Sequence, residues 1–183
     1  MQNRKTLKII SLILFLTTFV FYILHEDSTF FLQSDTNVLV DVVKVHDGDT
    51  LSVLFNKKKE KVRLIGIDAP EMGQKIWGKR AKKYLENILS SSGWRVRLEF
   101  DVEQRDKYDR ILAYIWTKDG RMINILMFES GYAMLFTVPP NLEYVDNLGV
   151  AQKQAKEKGV GIWGIKGLKE RPSDYRKEHG RKI

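Results

Sequence analysis

Alternating apolar and polar residues predict five short strands in the middle of the chain. The segments are rich in β-branched side chains and are bounded by Gly, Asn, Asp and Ser, which is typical of strands joined by turns. The polar segment 56–61 has the composition of a turn and predicts a hairpin-like connection between the second and third strands. The predicted strands span residues 38–45, 50–55, 62–67, 95–102 and 111–117.

Helical spacing of apolar residues appears between and after these strands. Ala81, Leu85 and Leu89 recur every four residues within 79–90, and Gly93 follows as a stop signal. Two later segments, 122–130 and 141–158, are also predicted helices. This order of elements predicts a mainly β fold with α (α+β). We expect a five-stranded antiparallel barrel of the oligonucleotide-binding (OB) type, packed with about three helices.

A basic start and a long apolar run mark the first 25 residues. The run from 7 to 24 is interrupted by one lysine and three hydroxyl residues, a length between a signal-peptide core and a membrane-spanning helix. No small-residue cleavage site follows it. We therefore expect an N-terminal hydrophobic helix (1–25) that anchors the chain in the cell membrane, with the rest of the protein extracytoplasmic. Secretion after signal cleavage is the alternative. A linker (26–36) would precede a domain at 37–165.

The net charge of +8 is concentrated at the two ends of the chain. Residues 1–8 carry +3 and residues 166–183 carry +4, which leaves the central domain at +1. Any affinity of that domain for polyanions must therefore come from local patches. The segment 166–183 has no apolar periodicity and is predicted to be a disordered, basic tail. The absence of cysteine excludes disulfides, thiolate metal sites and a cysteine nucleophile.

Two short acidic segments at strand ends form a candidate metal site. The first is Asp-Gly-Asp at 47–49, which is also a common turn sequence, and the second is Asp-Ala-Pro-Glu at 68–71. Proline ends the backbone ladder there and leaves carbonyl oxygens available. Ca²⁺ takes about six to eight oxygens in irregular geometry. Solvated surface carboxylates are the alternative. The candidate calcium ligands are Asp49, Asp68 and the backbone carbonyl of Ala69.

Two arginines and one glutamate supply the remaining groups of a phosphodiester-cleaving site. Arg63 lies in an apolar strand, where a guanidinium needs a carboxylate or a phosphate as its partner. Arg110 ends a charged loop. Two guanidinium groups and a divalent cation would neutralise the charge of a phosphorane-like transition state. Glu71 is then the candidate group that orients or deprotonates the attacking water.

The positions of Arg63 and Asp68 conflict with an ideal strand. Residues five apart have opposite parity, so a regular strand would place these two side chains on opposite faces. A bulge at Gly66, or a sharp twist before Pro70, would bring them together.

Three further side chains are candidates for substrate binding. Lys107 and Tyr108 lie in the charged loop before Arg110, and they are suited to contact a phosphate or a sugar. Phe136 precedes a Pro-Pro turn and is a candidate aromatic wall for a base. An aromatic residue at such a place is also common in cores.

Taken together, these motifs closely resemble the staphylococcal nuclease (thermonuclease-like) family. The resemblance covers about residues 37–165, in the family's order and at compatible spacings. The matching segments are 47–50, 62–71, 106–110, 110–115, 123–124, 151–156 and 162–163.

The resemblance implies an OB-fold nuclease that uses Ca²⁺ to hydrolyse DNA and RNA to 3′-phosphate products. It implies the same metal ligands, the same two arginines and the same general base as above. Lys107 and Tyr108 would contact the other phosphate of the bound nucleotide. Three positions depart from the family. Ala69 often corresponds to threonine, Asp109 replaces a common glycine, and a tyrosine-rich segment is here Leu-Phe-Thr-Val-Pro at 135–139.

The alternative to an enzyme is a non-catalytic OB-fold module at the membrane that binds nucleic acid or protein. Degenerate members of that kind lose the arginines or the acidic residues, whereas this chain has all of them. The expected partners are DNA and RNA as substrates and the membrane through the N-terminal helix. Nothing in the sequence requires more than a monomer.

Overall fold

The computed structural model describes residues 13–20 and 37–180, which belong to two separate units, 1–36 and 37–183. In the first unit, residues 13–20 are helical and exposed. The rest of the predicted anchor (1–25) and the whole predicted linker (26–36) lie outside the described residues. Within the described ranges, no helix combines the length and the apolar character needed to cross a membrane.

Seven strands form two sheets in the second unit. Five of them close into a barrel in the order β1-β2-β3-β6-β5, and the two-residue strands β4 and β7 pair with each other. The prediction of a five-stranded barrel is therefore confirmed. The strands are β1 (Asn37–Val45), β2 (Thr50–Phe55), β3 (Lys58–Leu64), β4 (Ile67–Asp68), β5 (Arg95–Glu99), β6 (Ile111–Trp116) and β7 (Met134–Leu135).

Helices follow the fourth, sixth and seventh strands, as expected for an α+β fold. The first three match the predicted helices to within four residues at each end. A short 3₁₀ turn at Gly161–Trp163 precedes the last helix. The α-helices of this unit are α1 (Lys75–Ser91), α2 (Ile123–Glu129), α3 (Val145–Glu157) and α4 (Pro172–His179).

The β2–β3 hairpin turns more tightly than the sequence predicts. Asn56 and Lys57 both have positive φ (49° and 64°), which is the backbone of a two-residue type I′ turn. Phe55 therefore pairs with Lys58, and β3 begins inside the segment 56–61 that was predicted to be a turn. The register that results places Thr50 opposite Arg63.

One pair in the barrel is parallel, which differs from the antiparallel barrel that the sequence predicts. β3 runs parallel to β6, with Arg63 opposite Leu112, while β1 pairs antiparallel with both β2 and β5. The chain reaches β6 only after α1 and β5, so it can enter beside β3 in the same direction. This parallel pair closes the barrel beside the end of β3.

Apolar side chains from strands and helices fill the barrel and cover it. Val53, Val62 and Leu98 have no exposed surface, and Leu85 and Leu89 of α1 pack into the same cluster. Fully burying such a side chain contributes about 1.5–3 kcal/mol relative to leaving it exposed. The rigid barrel that results holds the ends of β2 and β3 in fixed positions.

The C-terminal segment differs from its prediction as a disordered tail (166–183). It contains α4, which begins with a proline at its first turn and has Asp174 there and basic residues in its last turn. These are favourable positions for proline and for both signs of charge in a helix. Pro172 is buried, so the helix packs against the unit through its first residue. Residues 181–183 lie outside the described chain.

Candidate active site

Asp49 is held at the start of β2 by a turn that needs glycine. The backbone N–H of Asp49 donates to Asp47 Oδ1 at 3.0 Å. A Cβ at Gly48 would lie 2.6 Å from Ala69 Cβ and 2.7 Å from Ala81 Cβ, so only glycine allows this turn to approach α1. The side chain of Asp49 is buried and accepts the backbone N–H of Ala69 on Oδ2 at 2.7 Å.

Arg63 reaches the same place from the neighbouring strand. Since β2 and β3 are antiparallel hairpin partners, the end of β3 lies beside the start of β2. The Nη2 of Arg63 is 3.3 Å from Asp49 Oδ2 and 3.6 Å from Asp68 Oδ1, and Nη1 donates to the carbonyl of Leu64 at 2.9 Å. The Arg63 side chain is only 12% exposed. A largely buried cation between two carboxylates is the centre of the site.

Gly66 resolves the parity conflict between Arg63 and Asp68. β3 ends at Leu64, Gly66 turns the backbone with φ 78°, and β4 restarts at Ile67. β4 is then fixed by its pairing with β7, in which Asp68 lies opposite Met134. The interruption changes the direction of the chain, so both side chains reach one place, as the predicted bulge requires.

Glu71 stands at the edge of the site, on a segment clamped to α1. Its backbone N–H donates to Gln74 Oε1 at 2.8 Å, and its side chain is 31% exposed. Gly78 of α1 passes so close to the carbonyl of Glu71 that a Cβ there would collide with it. This arrangement leaves Glu71 accessible to solvent next to the buried Asp68.

A second arginine, which the sequence analysis did not select, lies on the carboxylates. Nη1 of Arg176 in α4 is 2.8 Å from Asp68 Oδ1 and 2.5 Å from Glu71 Oε1, and Nη2 is 3.2 Å from Asp68 Oδ2. Burial alone would lower the pKa of Arg176, but its hydrogen bonds to Asp68 and Glu71 outweigh this and raise it above the ordinary arginine value. In the sequence, the feature that could have predicted the helix carrying Arg176 is the proline at its first turn.

The loop that carries Arg110 is organised by Asp106. Asp106 Oδ1 accepts the backbone N–H groups of Tyr108 and Arg110, and Oδ2 accepts Arg110 Nε at 2.7 Å. Among the described residues, no hydrogen bond or ion pair joins Arg110 to the carboxylates around Arg63. Direct contacts therefore join Asp49, Arg63, Asp68 and Ala69, and Arg176 links Asp68 to Glu71, whereas the described contacts of Arg110 are with Asp106 and Tyr108.

The three candidate substrate contacts lie on the surface. Tyr108 is 67% exposed, and its ring lies 5.1 Å from Lys107 Nζ and 5.5 Å from the guanidinium carbon of Arg110. Phe136 is half-exposed, and its backbone N–H donates to the carbonyl of Gly66. An accessible ring beside the turn that positions Asp68 is compatible with contact to a substrate.

A buried asparagine that the sequence analysis did not select supports the site from below. Asn124 has no exposed surface; its Nδ2 donates to the carbonyl of Ile65 at 2.8 Å, and its Oδ1 accepts the N–H of Ile115 at 3.0 Å. It therefore ties the turn before Asp68 to β6. In the sequence, the feature that could have identified Asn124 is a polar residue within an otherwise apolar helix.

The turn before β2 is strongly negative. Burial and the neighbouring carboxylate of Asp49 raise the pKa of Asp47 to about 6.

His46, next to this turn, makes a structural contact. Burial and nearby lysines lower its pKa, and its Nε2 bonds the hydroxyl of Ser52 at 2.8 Å, which is a structural contact.

Comparison with known proteins identifies the family. Residues 61–164 match the model of the family described as "Staphylococcal nuclease homologue". The chain belongs to the staphylococcal nuclease family. It is 35% identical over 170 residues to the thermonuclease of Staphylococcus intermedius, which covers 88% of this chain and 99% of that protein.

Other members of the family are similar over most of the domain. The thermonuclease of Staphylococcus hyicus is 35% identical over 127 residues, which covers 67% of this chain and 73% of that protein. Endonuclease YncB of Bacillus subtilis is 33% identical over 138 residues, covering 72% and 63%. Membership of this family supports a nuclease function.

The donor set at the site fits a hard metal ion of the kind that staphylococcal nucleases use. Asp49 and Asp68 are 6% and 3% exposed and converge on one guanidinium, and Glu71 adds a third carboxylate beside them. Carboxylate oxygens without nitrogen or sulfur ligands suit Ca²⁺ or Mg²⁺. The described contact of Ala69 is made by its N–H, and its carbonyl remains a proposed ligand.

Proposed function

We propose that this protein is a calcium-dependent nuclease that hydrolyses phosphodiester bonds of DNA and RNA to 3′-phosphate products. The observation that carries the proposal is the largely buried side chain of Arg63 between Asp49 and Asp68, with the more accessible Glu71 linked to Asp68 through Arg176. A guanidinium held by carboxylates at 3.3 and 3.6 Å keeps donors available for a phosphate.

Arg63 binds a non-bridging oxygen of the scissile phosphate and stabilises the charge that grows on it during attack. Its position is preorganised by the β2–β3 register and by its bond to the carbonyl of Leu64. Arg110 supplies the second guanidinium in this proposal. In the present structure it is held by Asp106, so a phosphate must exchange with that carboxylate or bind the remaining donors.

Glu71 accepts the proton of the attacking water. A general base must lie within hydrogen-bond reach of the attacking water, and the side chain of Glu71 is more exposed than those of Asp49 and Asp68. Its backbone is fixed by Gln74, which limits its movement during proton transfer.

Asp49, Asp68 and the backbone carbonyl of Ala69 would hold Ca²⁺, which when bound supplies positive charge near the scissile phosphate. Lys107 and Tyr108 are proposed to contact the neighbouring phosphate, and Phe136 to stack on a base. The exposure of Tyr108 and Phe136 supports these two assignments.

Cleavage of single-stranded DNA by the purified full chain tests the proposal. We expect cleavage with Ca²⁺ and none with excess chelator. Glu71→Gln should lower the rate by about 10²–10⁴-fold, as expected when a general base is removed. The exposed Glu157→Gln variant is the matched control. Full activity of Glu71→Gln would contradict the assignment of Glu71 as the general base. Undiminished activity in excess chelator would contradict the requirement for a metal ion.

The same experiment distinguishes a nuclease from a non-catalytic binding module. DNA binding by the wild-type chain with no cleavage under any divalent cation would favour the non-catalytic binding module.

We further propose that residues 1–25 anchor the protein in the cell membrane, with the nuclease domain extracytoplasmic and monomeric. The basic start and the apolar run support this orientation. Fractionation of cells and the mass of the mature protein test it, since release at a reduced mass would indicate a cleaved signal and secretion.

A further inference from the structure

Arg176 places a positive charge on two carboxylates of the proposed catalytic site. Its guanidinium contacts both oxygens of Asp68 and one oxygen of Glu71. Asp68 is a proposed metal ligand and Glu71 is the proposed general base. The contact therefore involves both the proposed metal ligand and the proposed general base. The arginine that makes it belongs to a helix outside the barrel.

The guanidinium and a metal ion compete for the same carboxylate. Arg176 binds Asp68 in a fork, at 2.8 Å to Oδ1 and 3.2 Å to Oδ2, while Arg63 lies 3.6 Å from Oδ1. A Ca²⁺ ion on Asp68 would lie about 2.3–2.6 Å from its oxygen. An ion bound to these oxygens would share them with the charged nitrogens of Arg176, so like-charge repulsion opposes simultaneous binding.

The same contact occupies Glu71. The Oε1 of Glu71 accepts a hydrogen bond from the Nη1 that also binds Asp68. With Arg176 in place, both oxygens of Asp68 and Oε1 of Glu71 carry contacts to its guanidinium, so the proposed metal ligand and the proposed base are both paired with a cation.

α4 is attached by a small number of contacts. The carbonyl of Glu170 accepts Gln74 Nε2 at 2.9 Å, and the ring of Tyr175 packs against Gly73. Pro172 is the one residue of this helix that is buried. Elements with little buried apolar surface open at low cost in free energy, whereas the barrel core does not depend on α4.

We propose that α4 is an internal inhibitory element whose Arg176 guanidinium competes with Ca²⁺ for Asp68 and pairs with the proposed base Glu71. Binding of the metal and undocking of Arg176 are then one coupled step. This inference rests on the proposed function, since it assigns Asp68 and Glu71 to the metal and to the base. It adds that the full chain binds Ca²⁺ more weakly than its barrel alone would allow.

The size of the effect follows from the docked fraction. When only the undocked form binds Ca²⁺, the observed affinity is the intrinsic affinity multiplied by the undocked fraction. A site that is docked about nine-tenths of the time would lose about tenfold in affinity.

Calorimetric titration of the full chain with Ca²⁺ tests the competition. We expect Arg176→Gln to bind Ca²⁺ about tenfold or more tightly than the wild type. Lys177→Gln is the matched control, because it removes the same charge from the adjacent residue, whose side chain is 78% exposed and whose Nζ bonds Asp174 within the helix. Equal affinities of wild type and Arg176→Gln, or absence of Ca²⁺ binding to both, would overturn the proposal.

The heat of Ca²⁺ binding to a second group of ligand atoms, in the C-terminal segment, must be excluded from this comparison. Glu170, Glu178 and His179 bring ligand atoms within 4.8 Å of one another, and Ca²⁺ bound there would add heat. The titrations are therefore repeated in a Glu178→Gln background. Loss of the difference between wild type and Arg176→Gln in that background would also overturn the proposal.

Hydrogen exchange gives a readout that does not depend on activity. Ca²⁺ should accelerate exchange of the α4 amides, such as the N–H of Tyr175 that bonds Arg171, in wild type and Lys177→Gln. In Arg176→Gln the helix should exchange rapidly with or without Ca²⁺. Unchanged α4 exchange in a wild-type chain that binds Ca²⁺ would contradict the coupling.

A failure of the proposed nuclease function would give a different result from a failure of this inference. Arg176→Gln would then bind Ca²⁺ tightly but cleave no DNA.

Discussion

Asp109 adopts a left-handed backbone, with φ 61°, at a position where the resemblance to the staphylococcal nuclease family leads us to expect glycine. Aspartate tolerates this region better than most residues, at a cost of about 1 kcal/mol relative to glycine. Arg105 donates to the carbonyl of Asp109 at 2.8 Å and to its carboxylate at 3.3 Å. The substitution therefore keeps a glycine-like backbone, and the loop before Arg110 remains ordered by Asp106.

Asp106 makes the stability of this loop depend on pH. Burial would raise the pKa of Asp106, but hydrogen bonds from Arg110 and Tyr108 outweigh it and lower the pKa below 3.8. A lowered carboxyl pKa adds stability above the unfolded value, and that stability is lost as the pH falls through the folded value. Asp106→Asn should therefore cost about 1–2 kcal/mol at pH 7, and the difference should shrink as the pH falls below 3.8 through the lowered folded pKa.

Urea unfolding between pH 2.5 and pH 7 measures this difference. The exposed Glu157→Gln variant is the control, and it should follow the wild type at every pH. A constant difference between Asp106→Asn and the wild type at all pH values would contradict the assignment.

At the scale of single elements, α2 supports the site through one polar residue. Its buried side chains include Met127 and Phe128, yet Asn124 on the same helix bonds Ile65 and Ile115. The helix therefore both covers the barrel and fixes the turn that leads to Asp68. A regular apolar helix would cover the barrel equally well but would leave two backbone groups without partners.

Asn124→Leu should destabilise the protein by about 2–4 kcal/mol, because it leaves one buried N–H and one buried C=O unpaired. Asn147→Leu, at an exposed position of α3, is the control and should change the free energy of unfolding by less than about 0.5 kcal/mol. Denaturant unfolding of both variants measures the difference. A small loss in Asn124→Leu would show that water or local movement satisfies these groups.

At the scale of the whole molecule, local pattern predicted the barrel well and the site in part. Apolar alternation and helix spacing are local properties, so the five barrel strands, except the start of β3, and α1 to α3 followed from them. The direction of the β3–β6 pair did not, because it depends on how the chain returns after α1 and β5. The convergence of Arg63 and Asp68 depended on one backbone angle at Gly66.

Arg176 could not be placed from the sequence. Its partner Asp68 lies 108 positions away, and α4 has no apolar stripe that would predict where it packs. Composition indicated only a charged segment. The pairing becomes visible when the barrel has brought Asp68 and Glu71 to the surface that α4 covers.

The charge distribution predicts a shallow salt dependence of substrate binding. Outside residues 1–8 and 166–183 the chain carries +1, so phosphate contacts are limited to a few side chains such as Arg63, Lys107 and Arg110. Three contacts to a single strand correspond to a slope of about −2 in log K against log salt. Binding of single-stranded DNA by Glu71→Gln measures this slope. A value near −5 would show that the basic termini also bind the strand.

The connection that carries α4 sets how strongly Arg176 acts on the site. Ile165 is fully exposed and is followed by the exposed Lys166 and Lys169, an arrangement open to a trypsin-like protease. While the chain is intact, Arg176 meets Asp68 at a high effective concentration fixed by this short tether. A single cut there would make the encounter bimolecular, and dilution alone would then remove Arg176 from the carboxylates while every barrel strand stayed in place.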